Sequence, residues 1–147
     1  MYTCPLHPDA AAFVNGGAEF PNTTGEVLFY QADSAVLVAA NISNLPQTPS
    51  GFFAFHIHEG DSCSSEAFSS AKGHYNPTDT LHPNHAGDLP PLLFCAGRAH
   101  LSFLTDRFDL RDVIGRTVVI HSDPDDFHTQ PAGNAGTKIA CGLIRRT

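Results

Sequence analysis

Phe55-His56-Ile57-His58-Glu59-Gly60-Asp61 is the stretch on which the reading of this chain turns. Phe52, Phe53 and Phe55 favour a strand, and in a strand residues i and i+2 share a face. His56 and His58 therefore aim both rings at one point, which is how a strand offers two nitrogen ligands to a metal. Alone, such a pair is more often two polar residues on the exposed face of an edge strand. The rest of the chain changes that. His74, His82, His85, Asp88 and His121 follow, each in a turn-rich segment or at the end of an apolar run. Seven residues of ligand type in so short a chain call for a metal.

Working outward, short β-prone runs surround this stretch. Residues 11–14 start a strand that ends at Asn15-Gly16-Gly17. Runs 26–32 and 35–42, separated by Asp33-Ser34, predict a hairpin. Residues 52–58 are expected to form the central strand. Runs 89–94, 98–104, 117–121 and 138–144 read as further strands, and 109–114 as a turn or short helical piece. Two segments, 59–87 and 122–136, have no periodicity and are rich in Ser, Gly, Pro, His and Asn. Loops that long need a function to hold them, and metal ligands are expected to replace a hydrophobic core there. The pattern predicts an all-β fold, an antiparallel sandwich or barrel with Greek-key connections and two long functional loops.

The 147 residues, 41% hydrophobic and 16% charged, point to a single globular domain over 1–147. No apolar run is long enough to cross a bilayer. The start, Met1-Tyr2-Thr3-Cys4-Pro5, shows no signal peptide, although a mature exported form would look the same. A net charge of -7 argues against nucleic acid or an anionic membrane as partner. Cys4, Cys63, Cys95 and Cys141 include no CxxC pair, and four cysteines allow three pairings.

The spacing His74-x7-His82-x2-His85-x2-Asp88 offers three nitrogens and a carboxylate, a tetrahedral set that suits zinc. His56, His58 and His121 supply nitrogens that suit copper or zinc. Seven ligands are too few for two separate four-coordinate sites, unless one imidazolate binds through both ring nitrogens.

These stretches resemble the copper/zinc superoxide dismutases. The resemblance rests on FHIHE from Phe55, GHYNP from Gly73, HAGDL from His85, IGRTVVIH from Ile114, Asp125-Asp126, and GNAGTKIACGLI from Gly133, in the family's order. It implies an eight-stranded Greek-key barrel. It implies copper on His56, His58, His74 and His121, and zinc on His74, His82, His85 and Asp88, with His74 as the bridge. Asp125 is then the carboxylate linking a copper-ligand ring to a zinc-ligand ring, and Cys63 and Cys141 the family's disulfide. The implied reaction is dismutation of superoxide to dioxygen and hydrogen peroxide by Cu(II)/Cu(I) cycling, with His74 and Lys138 as catalytic residues.

The chain departs from that pattern. Lys138 stands in place of the family's active-site arginine, keeping the charge but losing the fork of donors. The loops after His58 and His121 are short, as in bacterial variants, and the chain ends on Arg145-Arg146-Thr147 rather than on an apolar segment. A dimer of the eukaryotic type is therefore expected to be absent, leaving a monomer or another pairing. Lys138 also keeps a second class in view, a copper- or zinc-binding module of the same fold with little turnover. His7, His100 and His128 match no ligand position and read as ordinary surface or loop residues; for His128, in the second loop, facing the copper channel is the alternative. Arg107, Arg111 and Arg116 are expected to be structural or solvated.

Overall fold

The computed structural model describes residues 7–147, so the expectation for Cys4 and for most of the lead-in lies outside the described residues. Nine antiparallel strands are formed among the described residues: β1 (Ala10–Gly16), β2 (Thr24–Ala32), β3 (Ala35–Ser43), β4 (Phe52–Phe53), β5 (Phe55–His58), β6 (Leu92–Leu93), β7 (Ala99–Thr105), β8 (Thr117–His121) and β9 (Lys138–Arg146). One short helix, α1 (Leu110–Val113), covers the expected turn. The main sheet runs β5-β8-β9-β1-β2-β3-β7, and β4 pairs with β6 in a separate two-stranded sheet. The neighbours β5/β8, β9/β1 and β3/β7 are far apart in sequence, as Greek-key crossings require.

The predicted hairpin is present. Ala32 pairs with Ala35 across Asp33-Ser34, with Asp33 in the left-handed region (φ 51°). Alternation then sorts the side chains: Val27 and Phe29 on β2, and Val36, Val38 and Ala40 on β3, are buried in one core. Phe53, Phe55 and Ile57 join it from the other side. Burying a phenylalanine or isoleucine side chain is worth about 1.5–3 kcal/mol.

Three expectations need correction. The strand expected over 52–58 is neither continuous nor central. It breaks at Ala54, whose amide donates to the Asp123 carbonyl (2.9 Å) and whose carbonyl accepts from His121 (2.9 Å), so its backbone pairs with the segment leaving β8. Counting β4 and β5 as one interrupted strand restores the expected eight. β5 ends the main sheet, yet every one of its residues is buried because the loops fold over it. The strand over 89–94 shrinks to Leu92–Leu93, since Pro90 and Pro91 have no amide to give a ladder. The segment 59–87 is not held by polar residues alone. It contains a 3₁₀ turn, Glu66–Ala71, whose Phe68 and Ala71 pack with Val119 and Cys141 in a second small apolar cluster, and Cys63 bonds to Cys141.

Candidate metal centre

Two backbone hydrogen bonds dock the first long loop on β5, and a third closes the loop on itself. Ile57 donates to Gly87 O (2.8 Å), Tyr75 donates to Ile57 O (2.9 Å), and Gly87 donates to Tyr75 O (2.9 Å). A Cβ on Gly87 would lie 2.2 Å from Ile57 O, so only glycine allows this approach. Isolated antiparallel bridges then set His56 opposite Asp88 and His58 opposite His74. Phe55 and Ile57 face the core, leaving His56 and His58 on the loop side as the period of two requires. From the other side comes β8. A register shift between Ile120 and His121 re-aims the last residue, and the same pairing sets Lys138 of β9 beside His121.

Two donor sets result. One ligand atom from each of His56, His58, His74 and His121 lies within 4.8 Å of the others, and the same holds for His74, His82, His85 and Asp88. His74 belongs to both. In the second set His74 Nδ1 is 2.8 Å from Asp88 Oδ1 and 3.2 Å from His85 Nδ1; His82 Nδ1 and His85 Nδ1 are 3.0 and 3.3 Å from Asp88 Oδ2. Donors about 2.0–2.2 Å from a tetrahedral metal stand roughly 3.3–3.5 Å apart, so the cage is close to the size of one small cation. In the first set His58 Nε2 and His121 Nε2 are 3.1 Å apart.

Asp125 joins the sets. Its Oδ2 accepts from His56 Nε2 and its Oδ1 from His82 Nε2, both at 2.8 Å. Each bond fixes a tautomer and leaves Nδ1 unprotonated on the metal side. Gly133 (φ 69°) makes room, because a Cβ there would lie 2.0 Å from Asp125 Oδ1. His58 is fixed likewise: its Nδ1 donates to Lys72 O (2.7 Å), which frees Nε2.

Burial lowers the pKa of His56 and, with the neighbouring His121 and His74, takes His58 well below its ordinary value. Burial and the charge of His56 bring His121 down to about 3. The rings are therefore neutral, the form that binds metal. Burial alone would raise Asp88, but hydrogen bonding and charge from His74, with the charges of His82 and His85, hold it below the usual range. Asp125 is likewise opposed by burial and held well down by the donors His56, His82 and the Phe127 amide. The buried ring nitrogens without a hydrogen-bond partner among the described residues are His82 Nδ1, His121 Nδ1 and the pair His56 Nδ1 and His74 Nε2. An orphaned buried nitrogen is costly, and a copper in the first set would satisfy that pair. The donor chemistry thus fits copper and zinc.

A cleft lined by His58, Glu59, Lys72, His74, His121 and Lys138 leads to the first set. Lys138 Nζ donates to Phe68 O at 3.3 Å. His128 does not line the cleft; it is exposed and sits 3.7 Å from Asp126. His7 is exposed, His100 pairs with Asn41 on the outer sheet face, and Cys95 is exposed and forms no disulfide among the described residues. Arg111 is solvated beside Asp109. Arg107 takes the structural of its two expected roles: Nη1 donates to Pro83 O (2.7 Å) and His85 O (3.2 Å) and clamps the loop bearing His82 and His85. Arg116 stacks on Tyr75 at 4.1 Å and donates to Glu59 O. Gln130, not singled out in the sequence, accepts from His82 N and donates to His82 O (2.9 and 2.7 Å).

The family model for copper/zinc superoxide dismutase (SODC) matches residues 23–144. The chain is 40% identical to Cu-Zn superoxide dismutase 2 of Aquifex aeolicus, over 87% of this chain and 85% of that protein. It is 37% identical to Cu-Zn superoxide dismutase 1 of the same organism (87% and 86%) and 35% identical to the Cu-Zn superoxide dismutase of Legionella pneumophila (85% and 80%).

Proposed function

The chain belongs to the copper/zinc superoxide dismutase family, and we propose that His56, His58, His74 and His121 hold its copper, and His74, His82, His85 and Asp88 its zinc. The protein converts superoxide to dioxygen and hydrogen peroxide. When bound, copper supplies one-electron exchange between Cu(II) and Cu(I), while zinc, which has no redox chemistry, supplies fixed charge. The observation that carries the assignment is the sharing of His74 by two buried donor sets.

The chain's own groups have separable tasks. Two superoxide anions and two protons give one dioxygen and one hydrogen peroxide. His74 Nε2, buried and without a hydrogen bond, is the atom placed to hold and release one of those protons. Lys138, paired with His121 and lining the cleft, presents an ammonium to the incoming anion. Asp125 keeps His56 and His82 in the required tautomers. Superoxide is the partner this supports. A monomer, or a dimer through a face other than the eukaryotic one, is supported by the exposure of Arg145 and Arg146 on β9, since burying unpaired guanidinium groups is costly.

Replacing His121 with Ala tests the assignment. His121 belongs to the first set only, so copper occupancy and dismutation are expected to be lost while zinc is kept. Wild-type activity in that variant would contradict it.

A further inference from the structure

His82 has the least backbone support of the four donors in the second set. His74 bridges to His58 on β5, and Asp88 bridges to His56. His85 is tied to Asp88, its amide donating to Oδ2 (3.0 Å) and its carbonyl accepting from the Asp88 amide (3.1 Å). His82 is buried in a turn, and among the described residues no backbone group pairs with its amide or carbonyl. Buried main-chain groups need partners. Gln130 supplies both: its Oε1 accepts from His82 N (2.9 Å), and its Nε2 donates to His82 O (2.7 Å) and to His128 O (3.1 Å). A side-chain amide is a chemical copy of a peptide group, so this pairing does for one residue what an adjacent strand would do. It needs an acceptor and two donors at once, a set that a carboxylate cannot give.

The segment that carries Gln130 is closed by its own bonds. Asp126 Oδ1 accepts from the amides of His128 (3.0 Å) and Thr129 (2.9 Å), Gly133 donates to Thr129 O (2.7 Å), and Asp126 donates to Gly133 O (2.9 Å). From the same loop, Asp125 Oδ1 holds His82 Nε2 at 2.8 Å. A ring held at one nitrogen alone can still pivot about that bond. Fixing the main chain as well removes the pivot and leaves Nδ1 aimed into the second set, 3.0 Å from Asp88 Oδ2. We infer that Gln130 is a positioning residue of the second set: by clamping the main chain of His82 it presents Nδ1 to the metal in one orientation and so governs how tightly zinc is retained. The bonds of Gln130 reach none of His56, His58, His74 and His121, so copper retention does not depend on it. This rests on the reading of His74, His82, His85 and Asp88 as the zinc set.

Two variants test the clamp. Gln130→Ala removes all three bonds; Gln130→Glu keeps the length but sets a carboxylate oxygen against the His82 and His128 carbonyls. The protein loaded with copper and zinc is titrated with a chelator, and both metals remaining are measured. Each variant is expected to release zinc at roughly tenfold lower chelator concentration than the wild type, with copper retained as in the wild type. Cobalt(II) in place of zinc, with copper held as Cu(I), gives a second readout. Its visible absorption reports coordination geometry and is expected to change in both variants, which a contact that merely stabilises the fold would not cause. Wild-type zinc release in either variant overturns the clamp. Equal loss of copper and zinc overturns its restriction to the second set. Earlier zinc release with an unchanged cobalt spectrum overturns the orienting role. A wild-type protein that retains no zinc overturns the zinc assignment itself, and this proposal with it.

Discussion

At the scale of single residues, Asp125 carries more of the design than any group that touches neither donor set's centre directly. One carboxylate fixes the tautomer of a ring in each set, and groups so placed are worth about 10- to 100-fold in metal affinity. Asp125→Leu, which deletes both acceptors, is expected to weaken copper and zinc binding together by about that factor in competition with chelators, leaving the apo fold in place. Loss of one metal only would show that the two bonds are not equivalent. The donor residues were legible in the sequence because they are chemically rare types in fixed order. Arg107 and Gln130 were not, because their partners are the backbone carbonyls and amides of Pro83, His82 and His85; nothing in a side-chain pattern reports which carbonyl a guanidinium will meet. His128, which matches no ligand position, is exposed and does not line the cleft, as expected of an ordinary loop residue.

At the scale of elements, the strands of the hairpin were readable because propensity and turn chemistry agree there. The interruption of 52–58 was not. Ala54 is an ordinary strand residue, and what diverts it is a long-range bond to Asp123. The 3₁₀ turn was hidden for a related reason: Ala67 and Phe68 adopt left-handed backbone (φ 50° and 56°), which their residue types do not announce. The disulfide explains how this segment is secured. Cys63 and Cys141 are 78 residues apart, a loop whose closure in the unfolded chain is worth about 4 kcal/mol. Changing both cysteines to serine is expected to lower unfolding stability by about 2–4 kcal/mol, read from denaturant midpoints. Because Phe68 O holds Lys138 and Lys72 O holds His58, the same variant is expected to lose activity at temperatures where it is still folded. An unchanged midpoint would mean that the apolar cluster of Phe68, Ala71 and Val119 holds the loop without the bond.

At the scale of the whole molecule, net charge and the polar last residues of β9 bound what the fold can do. The sum of -7 disfavours an anionic substrate, whereas Lys72 and Lys138 both line the cleft that leads to His58, His74 and His121. Arg145 and Arg146 leave the end of β9 polar, so analytical ultracentrifugation is expected to show no dimer that the double change Arg145→Glu, Arg146→Glu dissociates; a dimer lost in that variant would place an interface there. The centre of the account is that seven buried donors sharing His74 make a working dismutase. The most direct measurement is the decay of superoxide with the protein loaded with copper and zinc against the same protein stripped of both. A second-order catalysed decay in proportion to loaded protein, absent from the stripped one, is the predicted result. Equal decay in the two samples, with one copper and one zinc bound per chain, would contradict it.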